Sequence, residues 1–167
     1  MSEVVVRPAR RGDLARVTEI YNHYVVNTPI TFDIEPFTVE QRVSWFEEHA
    51  ESGRYRLLVA ERSGMLLGYA GTGQFRAKAA YDTSVEMTIY CAPEAMGRAI
   101  GTRLYAALFD QLEGEDIHRA LAGITLPNDA SIALHRKFGF KEVAHFTENG
   151  RKLGRYWDVL WMEKAMG

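Results

Sequence analysis

Stretches of period-two alternation and stretches of helical spacing follow one another along this chain. Residues 3–8 predict a short Val-rich strand. From Asp13 onward, Leu14, Val17, Ile20, Tyr21 and Tyr24 recur at the spacing of an amphipathic helix, with Asp13 in the first turn, where a carboxylate is favoured. A Pro-containing stretch, 27–37, comes next. Thr38 with Gln41 three residues on is a capping-box signal and predicts a second helix through about His49. Residues 55–61 and 65–74 predict two strands joined at Ser63-Gly64. Gly68, Gly71 and Gly73 interrupt the second strand, and because glycine in a strand often marks a close approach to the backbone, 71–73 is a candidate to flank a ligand.

The clearest alternation is in 83–91, with Val85, Met87 and Ile89 on one face and Ser84, Glu86, Thr88 and Tyr90 on the other. A loop over 92–99 leads to a helix beginning near Ile100, where Leu104, Leu108 and Leu112 recur every four positions until Gly114. A strand over 119–125 follows. Asn128 or Asp129 caps a short helix carrying Ile132 and His135, stopped at Gly139, and 140–146 and 156–163 close the pattern as a pair of strands. The order is mixed α/β, with hairpins beside helical crossovers rather than a repeating βαβ barrel. No linker, repeat or low-complexity tract interrupts it, so 1–167 is expected to be a single domain.

Composition narrows the function classes. With 167 residues, 47% of them hydrophobic, the chain can build one core. Twenty Lys and Arg against twenty-two Asp and Glu leave no basic excess to neutralise phosphates, so nucleic acid is not an expected partner. The apolar runs fall far short of the roughly 20 residues of a membrane span, and the polar residues 1–11 do not resemble a signal peptide. One cysteine, Cys91, and five scattered histidines fit neither a disulfide framework nor a metal site, so the expectations are a reducing cytoplasm and no metal.

Candidate chemistry gathers around the best strand. Residues 85–91 lead through small residues into Gly97-Arg98-Ala99-Ile100-Gly101, and N–H groups at such a helix start can hold phosphate oxygens. It is neither a Walker loop nor Gly-x-Gly-x-x-Gly, and an ordinary helix start reads the same way. Glu86 lies on the polar face near that point and can serve as a general base; the plainer alternative is a solvent-facing or Arg-paired carboxylate. Asn128, Ser131 and His135 share one helical stretch and can orient a ligand, or else supply only a cap and a packed histidine. Cys91 can be a nucleophile or inert packing.

Taken together, Ile20-Tyr21-Asn22-His23, Thr31-Phe32-Asp33, Phe75-Arg76, Ala80-Tyr81, Val85-Glu86, Pro127-Asn128-Asp129-Ala130-Ser131, Leu134-His135, Phe138-Gly139-Phe140 and Gly154-Arg155-Tyr156-Trp157-Asp158 resemble the GNAT superfamily of acyl-CoA-dependent N-acetyltransferases. Within it they resemble the phosphinothricin and methionine sulfoximine acetyltransferases, over nearly the whole chain. The resemblance implies an α/β (α+β) GNAT fold: a mixed central sheet whose splayed strand pair holds acetyl-CoA, with helices on both faces. It implies that main-chain groups of Ile89, Tyr90 and Cys91 pair with the pantetheine arm. Gly97, Arg98, Ala99, Ile100, Gly101 and Thr102 would cradle the pyrophosphate, and Asn128 and Ser131 would contact the cofactor.

By the same resemblance Glu86 deprotonates the substrate ammonium and His135 protonates the departing thiolate. The amine attacks the thioester directly, with N–H groups near Ile89 as the oxyanion hole. Arg76, Lys78, Tyr81, Glu86, Met87, Thr88, Lys152 and Tyr156 are the implied substrate residues, some lent by a partner subunit in a homodimer. The implied acceptor is the α-amine of a small amino-acid-type substrate. Two alternatives stand beside it: another amine (polyamine, aminoglycoside or peptide N-terminus), or a degenerate CoA-binding module without turnover. The sequence departs from the family pattern at Met96, where Arg or Gln is usual, at Ala99, where Gly is usual, and at Met87, where His is frequent. Alanine is costly at position 99 only if that position takes a positive φ.

Overall fold

Ser63 and Gly64 both take positive φ, 52° and 79°, and make the two-residue turn that joins β2 (Leu57–Arg62) to β3 (Met65–Gln74). In the computed structural model, which describes residues 3–167, this hairpin sits inside a seven-stranded mixed sheet. The other strands are β1 (Val5–Pro8), β4 (Ser84–Cys91), β5 (Arg119–Thr125), β6 (Lys141–Lys152) and β7 (Arg155–Ala165). Their order is β1-β2-β3-β4-β5-β7-β6. Every neighbouring pair is antiparallel except β4 and β5, which run parallel.

Helices cover both faces. Helix α1 (Leu14–Asn27) and the short α2 (Val43–Glu47) lie on the face of Tyr69 and Tyr90, register partners on β3 and β4, where Tyr21 meets Tyr90 and Trp45 meets Tyr69 edge to face. Helix α3 (Ile100–Leu112) packs on the other face and buries Ile100, Leu104, Leu108 and Leu112 almost completely. Helix α4 (Asp129–Lys137) lies beside it, with the Tyr105 and His135 rings 5.2 Å apart. Helices α1 and α3 each present an apolar stripe of the expected 3.6-residue period, and burial of that stripe holds them on the sheet.

The Thr38–Gln41 capping box forms in both directions: the Thr38 N–H donates to Gln41 Oε1 at 2.8 Å and the Gln41 N–H donates to Thr38 Oγ1 at 3.2 Å. The element it opens is shorter than expected, a 3₁₀ turn at Glu40–Arg42 followed by α2. The closing strands are longer than their alternation suggests. Residues 147–152 are polar and show no period, yet the turn at Leu153 and Gly154, both at positive φ, pairs Lys152 with Arg155, Arg151 with Tyr156 and Gly150 with Trp157. The glycines of β3 separate into two roles. A Cβ on Gly71 would lie 2.6 Å from the Arg56 carbonyl, so that glycine serves the β2–β3 approach rather than a ligand. Gly73 has nothing within 4 Å of its Cβ position and is the register partner of Glu86.

Candidate active site

The parallel strands β4 and β5 pair only at Ser84↔Arg119, Val85↔Ala120 and Glu86↔Leu121. Beyond Glu86, β4 continues to Cys91 along β3 while β5 continues to Thr125 along β7, so the sheet splits open from Glu86 onward. The Ala92 N–H donates to the Leu67 carbonyl at 2.8 Å, toward β3. Counting back by the strand period, the main-chain groups of Tyr90 and Thr88 also face β3, and those of Cys91, Ile89 and Met87 face the split. The main-chain groups of Tyr90 are therefore turned to β3 and not to the split, a correction to the expectation that they are available there, and its ring meets Tyr21, Tyr24 and Tyr69. The Cys91 carbonyl already accepts a hydrogen bond from the Tyr24 hydroxyl at 2.5 Å.

Three cavities share walls along this split. One of about 330 Å³ lies between Gly97, Ala99, Ile100, Gly101 and Thr102 and the Ala130–Lys137 side of α4. The second, about 180 Å³, shares Cys91, Met96, Gly101 and Leu134 with the first and Ile89, Tyr90, Asn128 and Ser131 with the third. The third, about 110 Å³, reaches Glu86, Met87 and Thr88. The groove is thus continuous from the start of α3 to Glu86. Arg98 is exposed and does not line it.

Ala99 takes the left-handed conformation, φ 57° and ψ 21°, at the N-cap of α3, and no side chain caps that helix. Its first-turn N–H groups have no acceptor within the helix, and no acidic side chain lies in that turn. This leaves donors and the positive end of the dipole at the mouth of the groove, which suits pyrophosphate oxygens. Gly101 lets α3 close on its neighbours, since a Cβ there would lie 3.2 Å from Leu134 and 3.5 Å from Ile89. Asn128 caps α4 by accepting the Ser131 N–H on Oδ1 at 3.2 Å, which leaves its amide nitrogen for the groove.

Glu86 is half-buried. Burial raises its carboxyl above the ordinary value, and the Arg76 guanidinium works in the opposite direction. Arg76 lies 4.2 Å over the Phe75 ring, and Tyr81 meets Phe75 edge to face at 5.8 Å. Lys78 is exposed beside that segment. Burial pushes the Cys91 thiol up to about 11, so it stays protonated near neutrality and is unsuited to attack.

Two expected roles meet a different placement. His135 is buried, its Nδ1 2.7 Å from the Ser131 carbonyl and its Nε2 2.8 Å from the Tyr105 hydroxyl. A carbonyl only accepts, so Nδ1 holds the proton and Nε2 accepts from Tyr105; burial also lowers the imidazole pKa. In this tautomer His135 has no proton on the groove side to give a thiolate, which corrects its assignment as general acid. Lys152 is also buried, and its Nζ donates to the Thr31 carbonyl at 2.7 Å instead of reaching the groove. It ties down the 28–37 loop, where Tyr21 bonds Thr31 Oγ1 at 2.8 Å and donates to Asp33. Tyr156 is 54% exposed and lies outside its own chain's groove. The alternation of β4 does not reveal Ile30, Tyr24 and Tyr105, which line the groove from other elements; Tyr24 reads as core from its helical spacing, and Ile30 and Tyr105 belong to no pattern that points to the groove.

A carboxylate at the fork of a split parallel pair, reached by a groove from an uncapped helix start, is a layout for an acyl-CoA-dependent acetyltransferase. Acetyl-CoA fits the main-chain edge and the helix start. The Acetyltransferase (GNAT) domain family model matches residues 6–161. The chain is 56% identical over 167 residues to a phosphinothricin N-acetyltransferase of Streptomyces coelicolor, covering 99% of this chain and 98% of that protein. It is 34% identical over 160 residues to an L-methionine sulfoximine/L-methionine sulfone acetyltransferase of Salmonella typhimurium, covering 96% and 93%. The structure of a GNAT superfamily phosphinothricin acetyltransferase from Sinorhizobium meliloti in complex with AcCoA superposes with a TM-score of 0.91 at 32% identity, covering 100% of this chain and 90% of that one. The chain belongs to the GNAT acetyltransferase family and is an acetyl-CoA-dependent N-acetyltransferase. Among the described residues no group of three or more His, Cys, Asp or Glu is placed to hold a metal ion, and no helix is long and apolar enough to cross a membrane.

Proposed function

We propose that the chain acetylates the α-amine of small amino-acid-type acceptors of the phosphinothricin and methionine sulfoximine class. The observation that carries this reading is the position of Glu86. It sits at the fork of the split, with open space over its register partner Gly73 and the Arg76 cation near enough to lower its carboxyl. An amine must lose a proton before it attacks, and a carboxyl raised by burial is closer in proton affinity to the ammonium it relieves. Arg76 offers a planar fork to the acceptor's carboxylate or phosphinate, alongside Lys78 and Tyr81. Met87 and Thr88 shape the acceptor side of the groove.

Acetyl-CoA supplies the activated acetyl thioester. The N–H groups of Met87 and Ile89 face the split and are the donors for an oxygen that gains charge as the amine attacks. Ile89 and Cys91 line the pantetheine path, Asn128 and Ser131 flank it, and Gly97, Ala99, Ile100, Gly101 and Thr102 surround the pyrophosphate.

The unit is the single domain 1–167, working as a homodimer in the cytoplasm. The unpaired outer edge of β6 and the exposed Val143, Phe146, Leu153 and Tyr156 support a protein partner, and the single cysteine suits a reducing compartment. The test is acetylation of phosphinothricin and methionine sulfoximine against spermidine, an aminoglycoside and a peptide N-terminus. The expected result is a kcat/KM at least about a hundredfold higher for the amino-acid class. Preference for a cationic amine would overturn the assignment.

A further inference from the structure

Register places several residues of four strands on one face. Partners across a ladder share a face, and so do residues two apart on a strand. Glu86 pairs with Gly73 on β3 and Leu121 on β5, Gly123 follows Leu121 by two, and Trp161 on β7 is the register partner of Gly123. Trp161 therefore lies on the Glu86 face, one strand beyond the split. Its indole covers Gly123 so closely that a Cβ there would stand 3.0 to 3.2 Å from three indole atoms. Gly123 itself lines the cavity that contains Glu86.

The indole is also one end of an aromatic shelf. Phe75, two residues beyond Gly73, meets Trp161 edge to face at 5.9 Å and Tyr81 edge to face at 5.8 Å. The Arg76 guanidinium lies 4.2 Å from the Phe75 centroid and 5.8 Å from the Trp161 centroid, and its Nη1 donates to the Phe75 carbonyl at 2.8 Å. Arg76 has no carboxylate within ion-pair distance among the described residues. An exposed arginine side chain samples many rotamers, and stacking on two rings restricts it. The shelf thus restrains an unpaired cation near enough to the fork to lower the Glu86 carboxyl.

We propose that Trp161, seated across Gly123, is a positioning residue for acceptor specificity: it supports Phe75 and holds the Arg76 guanidinium where an acceptor's anionic group binds. This deepens the proposed function and rests on its reading of Arg76. Trp161 touches no reacting atom. Its effect falls on KM for anionic acceptors and not on kcat.

The experiment is steady-state kinetics with phosphinothricin on the wild type, Trp161→Ala, Trp161→Phe, Gly123→Ala, Arg76→Ala and the Arg76→Ala/Trp161→Ala double variant. Acetyl-CoA affinity, measured by calorimetry, checks that each variant is folded. Trp161→Ala is expected to raise KM about five- to tenfold with kcat within about twofold, and Trp161→Phe to restore most of the loss. Gly123→Ala, which displaces the indole with one methyl group, is expected to shift KM in the same direction and keeps the test available if Trp161→Ala does not fold. In the Arg76→Ala background, Trp161→Ala is expected to add nothing. If Arg76→Ala raises KM but the Trp161 effect is absent, falls on kcat, or persists undiminished in that background, the shelf is overturned and the reading of Arg76 stands. If Arg76→Ala leaves KM unchanged, the reading of Arg76 fails, and the shelf with it.

Discussion

The Lys152 ammonium donates to the Thr31 carbonyl at 2.7 Å, joining the end of β6 to the loop after α1 across 121 positions of sequence. Phe32 packs over Gly150, where a Cβ would run into its ring. Ile30 of the same loop lines the groove beside Glu86. The loop is therefore held at two consecutive residues, Thr31 and Phe32, and Lys152 is a fastening rather than a direct substrate contact within its own chain.

Replacing Lys152 with methionine keeps the stem and removes the fastening. The account expects KM for the acceptor to rise about tenfold through loss of loop positioning, with acetyl-CoA affinity nearly unchanged. A stability difference follows from burial, which lowers the Lys152 pKa below that of a lysine in the unfolded chain, about 10.4. Between the lowered value and about 10.4 the unfolded state binds more protons, so the wild type gains stability relative to the variant as pH rises through that window. Urea unfolding of both proteins across alkaline pH checks the sign.

Ala99 holds a left-handed conformation that costs an alanine about 1–2 kcal/mol and a glycine almost nothing. Part of the gain from glycine is offset by its greater freedom when unfolded, so Ala99→Gly is expected to stabilise by about 0.5–1 kcal/mol. In a domain of this size that is a rise in Tm of about 1–4 °C. Thermal unfolding measures it, and a fall in Tm would show that position 99 is not strained.

His135 is expected to matter for stability more than for proton transfer. In His135→Phe the buried Tyr105 hydroxyl loses its acceptor and the Ser131 carbonyl keeps only its helical N–H donor, at a cost of about 1–3 kcal/mol. The pH profile of kcat in the variant is expected to keep the wild type's shape on its alkaline side, any limb there included. Loss of such a limb would restore the imidazole as an acid.

Much of this was readable before the fold. The alternation around Glu86 is legible because Val85 and Met87 are fully buried on one face while Glu86 and Thr88 on the other are only half-buried, and the leucine spacing of α3 reads directly because a helix on a sheet needs one apolar stripe. The fork itself is not readable: strands that pair over three residues and then part are a tertiary relationship with no period of their own. Lys152 escapes for a related reason. It ends a polar, aperiodic run, and its burial is created by a loop that comes from the other end of the chain. His135 shows the limit of matching residues by position, since its hydrogen-bond partners, not its place in a motif, set which nitrogen carries the proton. Trp161 looks like one more core aromatic until the register puts it opposite a glycine.

The most direct test of the account is the pH dependence of kcat/KM for phosphinothricin in the wild type, Glu86→Gln and Arg76→Ala. The account predicts an acidic limb in the wild type at a pH above the ordinary glutamate range, because burial raises the Glu86 carboxyl. Removing Arg76 takes away the cation that lowers it and moves that limb to higher pH. In Glu86→Gln the limb disappears and kcat drops about 10²- to 10⁴-fold, while acetyl-CoA still binds. A Glu86→Gln enzyme that keeps its turnover and its acidic limb would contradict Glu86 as the base.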